Sequence, residues 1–99
     1  MSNFQSVTEF KKLNKEKGFH FFSAEANRFF GSRVEPEMIS GEFFLTSERD
    51  HYREDNPRCW TVRRARLDGQ VDTIGDFQAH STKQAALIWL AEYLRDGGE

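Results

Sequence analysis

Cysteine occurs once among the ninety-nine residues, as Cys59, and proline twice, as Pro36 and Pro57. A lone cysteine excludes an intrachain disulfide framework and fits a reducing, cytoplasmic setting. Neither sign of charge dominates, because 14 Lys and Arg stand against 16 Asp and Glu for a formal net charge of −2. The chain as a whole is therefore no polycation drawn to DNA or anionic lipid, although a local basic face stays open. No apolar run approaches the ~20 residues needed to cross a bilayer, and the N-terminal MSNFQSVTEF lacks the basic and apolar regions of a signal peptide, so no membrane partner is expected.

What the chain does have is 14 % aromatic and 30 % charged residues, including ten phenylalanines. The rings supply the apolar area that offsets chain entropy, so a folded domain is expected over residues 1–99. Ser6-Val7-Thr8-Glu9 has the form of a capping box, followed by Val7, Phe10 and Leu13 three apart with Lys11, Lys12, Lys15 and Lys17 on the other side. This predicts an amphipathic helix over 7–17, ended by Gly18, whose lysines read as a solvated face. Five phenylalanines then fall within FHFFSAEANRFFGSR, residues 19–33. Ser23 can cap a short helix over 24–30 that Gly31 ends, and Phe22, Phe29 and Phe30 gather around Ala26 at helical spacing. These rings read as core, leaving Arg28 and Arg33 either to pair with carboxylates of the sheet or to face a partner.

From Gly41 the period changes. GEFFLTSE is strand-prone, and RCWTVRRARL-DG-QVDTIGDFQA reads as a hairpin around a two-residue Asp-Gly turn. That turn pairs Leu67 with Gln70, and the register it sets places Trp60 opposite Phe77 and Val62 opposite Gly75 on a buried face. Thr61, Arg63 and Asp72 then lie on a solvated face, with Arg63 diagonal to Asp72 and Asp76. Ser81-Thr82-Lys83-Gln84 opens a last helix over 82–95, whose Leu87, Leu90, Ala91 and Leu94 form an apolar seam that Ile88 and Trp89 widen. The expected fold is α+β in the order α-α-β-β-β-α: a three-stranded antiparallel meander with the C-terminal helix packed on it. The excess apolar face of that helix leaves the protein either a monomer or a homodimer through it.

Chemistry-bearing motifs are scarce. His20, His51, His80 and Cys59 show no metal-ligand spacing, and the phosphate-loop, dinucleotide and nucleophile-elbow signatures are missing. No metal, no cofactor and no catalysis are expected. Two stretches read as interaction sites. The long loop ERDHYREDNPR, with Arg49, His51, Tyr52, Arg53 and Arg58, is the candidate for binding a protein. The hairpin arginines Arg63, Arg64 and Arg66, with Lys83 at the start of the last helix, are the alternative candidate for nucleic acid, although Glu42, Glu48, Asp72 and Asp76 lie close to them.

The element order resembles the double-stranded RNA-binding domain, and the hairpin with its following helix resembles the arm-type DNA-binding domains of phage integrases. The string FHFF, RFFGSR, FFLTSE, PRCWTVR and DTIGDFQAHST is similar to a family of short uncharacterised proteins carried by phages, plasmids and bacteria, which share RFF-x-SR, TSE, PR-x-[YW]-TVR and D-T-[IV]-G-x-F-Q segments. That resemblance implies a small accessory protein of phage or mobile-element type that binds a host protein or complex, inhibitors of host defence such as anti-CRISPR proteins included.

Overall fold

The computed structural model describes residues 4–19, 21–23, 33–49, 54, 57–76 and 78–97. Helix α1 spans Val7–Glu16 and helix α2 spans Lys83–Arg95, while β1 (Arg33–Val34), β2 (Phe43–Arg49), β3 (Arg58–Ala65) and β4 (Val71–Ile74) form one four-stranded antiparallel sheet in the order β1-β2-β3-β4. The fold is α+β. The sheet has one strand more than the expected meander, because Arg33–Val34 pairs with Ser47 and Thr46 on the outer edge of β2. The expected helix over 24–30 lies outside the described residues, as does Arg28.

Both helix starts follow from their caps. Ser6 Oγ accepts from Glu9 N–H, and the Glu9 carboxylate reaches back to the N–H of Gln5, satisfying two donors that the helix cannot. At α2 the cap is Thr82, one residue later than the expected Ser81, and its hydroxyl accepts from Ala85 N–H at 3.0 Å. Lys83 adds a tether by reaching Glu35 at 3.4 Å and Glu37 at 3.9 Å, which ties the start of α2 to the segment after β1.

The β3–β4 turn corrects the expected register. Arg66 N–H donates to Gln70 O and Gly69 N–H to Arg66 O, so three residues make the connection, with Gly69 at φ +92°. A glycine in that left-handed position is what a three-residue hairpin with a bulge requires. Asp68 favours this turn by accepting the N–H of Gln70 at 3.1 Å. The pairs become Val62↔Ile74, Arg63↔Thr73, Arg64↔Asp72 and Ala65↔Val71. One residue of slip exchanges the faces of β4: Asp72 joins Arg64, and Thr73 joins Arg63. Trp60 bridges His80, with backbone bonds in both directions, and Phe77 lies outside the described residues.

Each face of the sheet carries a core, so the expected solvated face is corrected too. On one side Phe44 and Ala65 pack with Phe4, Val7 and Phe10, joined by half-buried Phe21 and Phe22. These rings meet edge to face in several pairs, including Phe4–Phe10 at 5.0 Å and Phe10–Phe22 at 5.8 Å, an arrangement that aromatic quadrupoles favour. On the other side Phe43, Leu45 and Val62 pack with Ala86 and Leu90 of α2. Trp89 stacks on Tyr93 at 5.3 Å and lies against Gly75, so this ring is taken up by the fold, whereas Ile88 stays exposed. No helix among the described residues is long and apolar enough to cross a membrane.

Candidate functional site

Alternate residues of a strand share a face, and residues directly opposite in neighbouring strands share it as well. Because β3 runs back beside β2 with Arg58 opposite Arg49 and Trp60 opposite Ser47, and β1 sets Arg33 opposite Ser47, the side chains of Arg33, Arg49 and Arg58 converge on one end of the face that α2 covers elsewhere. Ser47 lies between them, fully buried. Arg58 Nη1 donates to both the carbonyl and the hydroxyl of Ser47, at 2.9 Å each, which fixes the guanidinium in place.

Arg33 and Arg49 both act on the charge of Arg58 at this end. Burial pushes the Arg58 guanidinium below its ordinary range, and Arg33 and then Arg49 push it further, against a smaller opposing pull from Glu48. Like charges directly opposite across a strand pair destabilise a sheet. An arginine does not relieve this by losing its proton. Guanidinium forks grip carboxylates and phosphates with two parallel bonds, which suits the cluster to that task.

Of the residues expected to bind a protein, the fold brings Arg49 and Arg58 face to face, while His51, Tyr52 and Arg53 lie outside the described residues. Arg33 is the member that sequence reasoning did not assign. Its place depends on the two-residue β1, which is too short to give a periodic signal.

The alternative, nucleic-acid set is spread over three environments. Arg63 points into the ring-lined core: Nε donates to Thr46 Oγ1 at 3.0 Å, Nη1 donates to Thr73 Oγ1, the guanidinium lies 5.3 Å over the Phe21 ring, and Nη2 stands 3.8 Å from Glu48. Burial lowers its pKa, and Glu48 opposes that. Arg64 pairs with Glu42; Arg66 pairs with Asp68 at 2.9 Å and Asp72 at 3.6 Å; Lys83 pairs with the two glutamates already named. The four cations do not share a surface, and each has a carboxylate beside it. The expected pairing of Arg63 with Asp72 and Asp76 gives way to Glu48, because the register slip carries Asp72 to the opposite face.

Among the described residues no group of three His, Cys, Asp or Glu side chains is arranged to hold a metal ion. Cys59 is buried opposite Glu48 and forms no disulfide.

The model of a family of unknown function, DUF7447, matches residues 6–89. The chain belongs to DUF7447. The match runs from the cap of α1 through all four strands and into α2, so Arg33, Ser47, Arg49 and Arg58 all lie inside the DUF7447 domain. Membership agrees with the resemblance to an uncharacterised family and assigns no activity. No curated protein and no solved structure matches the chain.

Proposed function

We propose that this protein is a small non-catalytic binding protein that engages an acidic surface of a partner protein through Arg33, Arg49 and Arg58. The observation that carries the reading is the direct opposition of Arg49 and Arg58 on neighbouring strands, with Arg33 one strand further on and Ser47 holding Arg58. Carboxylates of a partner can take paired bonds from neighbouring guanidinium forks, and arginine is, with Trp and Tyr, among the residues enriched at the centre of interfaces. In the chain, Arg49 and Arg58 are the residues on either side of the segment that connects β2 to β3. The mobile-element setting implied by sequence makes a host protein or complex the partner, inhibition of host defence being one form of that role.

The test is charge reversal in a reconstituted complex. The partner recovered by crosslinking from host cells expressing the protein is purified, and its binding is titrated with wild type and with the Arg33→Glu, Arg49→Glu, Arg58→Glu triple variant. Binding should fall at least a hundredfold and return when acidic residues at the partner's contact are changed to Lys. Unchanged affinity in a folded triple variant overturns the reading.

A further inference from the structure

A second surface lies on the opposite side of the sheet, where the chain leaves α1. Phe19 is 37 % exposed, although its backbone N–H is fixed by the Asn14 carbonyl at 3.0 Å. The ring stands between two adjoining clefts. One, of about 360 Å³, is lined by Lys11, Lys15 and Phe22; the other, of about 320 Å³, is lined by Phe21, Gln70 and Val71; Phe19 and Asn14 belong to both. Each is of the size that holds a small ligand group. Lys11 and Lys15 are one helical turn apart on the same face of α1, both exposed, and no carboxylate of the described residues forms an ion pair with either. Lys11 already lies 5.6 Å over the ring of Phe22.

We infer that Lys11, Lys15 and Phe19 form a binding site for single-stranded nucleic acid, with a base stacked on Phe19 and neighbouring phosphates on the two lysines. An exposed aromatic residue between two clefts, beside two cations that no carboxylate of the described residues pairs with, has the parts that such sites use: a π surface for any base and positive charge along the backbone. An acidic peptide would satisfy the lysines and leave the ring without a purpose. A duplex keeps its bases stacked inside and offers none to the ring. The site is separate from the arginine end, which lies on the other face of the sheet, and it is also separate from the hairpin arginines, whose carboxylates already neutralise them.

The experiment is fluorescence anisotropy of labelled oligothymidylate with the whole protein, between about 50 and about 200 mM salt. Wild type should bind in low salt. Lys11→Ala with Lys15→Ala should weaken binding more than tenfold and flatten the slope of log affinity against log salt by about 1.4, two phosphate contacts at about 0.7 each for a single strand. Phe19→Leu, which keeps an apolar side chain, should lower affinity about tenfold with the slope unchanged, and Phe19→Trp should restore it. Arg64→Ala should leave binding as it is. Lack of binding at low salt overturns the inference. So does a Phe19→Leu variant that binds like wild type, or a poly-glutamate peptide that competes as well as the oligonucleotide, since either outcome reduces the site to a general polyanion surface.

Discussion

Asn14 Nδ2, in the last turns of α1, donates to the carbonyl of Gly69 in the β3–β4 turn at 2.8 Å, a buried bond that joins positions 55 apart. It seats the end of the first helix on the tip of the hairpin, where a Cβ on Gly69 would lie 2.9 Å from Lys17 Cγ. Asn14 is 2 % exposed, so removing its amide leaves the Gly69 carbonyl without that partner in a site water reaches poorly. Asn14→Ala should cost about 1–3 kcal/mol in urea unfolding. A loss below about 0.5 kcal/mol would show that the contact contributes nothing.

The two neighbouring arginines of β3 should behave as opposites. Arg63 is the ion-pair partner, at 3.8 Å, of a Glu48 that is itself 2 % exposed and whose Oε1 accepts from the Thr61 hydroxyl at 2.9 Å. Removing Arg63 strands a buried carboxylate, so Arg63→Ala should destabilise by about 3–5 kcal/mol. Arg64, with a side chain 43 % exposed, makes a surface pair with Glu42, and Arg64→Ala should cost less than about 1 kcal/mol. Urea midpoints of the two variants, measured side by side, check the contrast; equal losses would contradict it.

At the arginine end, relief of repulsion can be read directly. Arg33 is exposed and acts on Arg58 through charge. Arg33→Gln should leave the protein as stable as wild type, or more stable, at low ionic strength, with the difference vanishing as salt screens the cluster. A variant less stable than wild type at low salt would make Arg33 an anchor of the fold and not part of a poised site.

His80 gives the protein an acid-sensitive joint. Its backbone pairs with Trp60 in both directions, its ring lies 5.5 Å from Trp89, and burial lowers its pKa from the ordinary 6.5. A lowered folded-state value means that the unfolded chain takes up the proton first as the pH falls. Stability from this residue is therefore present above about 6.5 and lost below it. The urea midpoint should drop between neutral pH and pH ~5, and less so in His80→Gln. Parallel pH profiles for the two proteins would remove His80 from the account.

The parts that were legible in the sequence are those governed by near neighbours. Ser6 and Glu9 announce α1, and the apolar spacing through Leu87, Leu90 and Leu94 announces α2. The Asp68-Gly69 pair announces a turn, but it serves both two- and three-residue connections, and the choice falls to the Asp68–Gln70 bond and the seat of α1. From that single slip follows the wrong partner for Arg63. Thr61 and Arg63 read as surface residues because they are polar, whereas Glu48 and Thr46 on β2 satisfy them in the interior. The candidate cluster was half legible for the same reason: Arg49 and Arg58 flank the loop in the sequence, while their opposition, and the approach of Arg33, exist only through pairing between strands.

Each strand of the sheet neighbours the strand next to it in the chain, and α2 follows β4 closely, so these elements can assemble with short loop closures. Helix α1 is different, since it must travel to the far end of the hairpin to seat Asn14 on Gly69. Its departure would uncover Phe44 and Ala65 while leaving β2 and β3 paired. In hydrogen exchange the amides of α1 should open ahead of those in β2 and β3, which makes the first helix a detachable clasp over one face of an otherwise self-sufficient sheet.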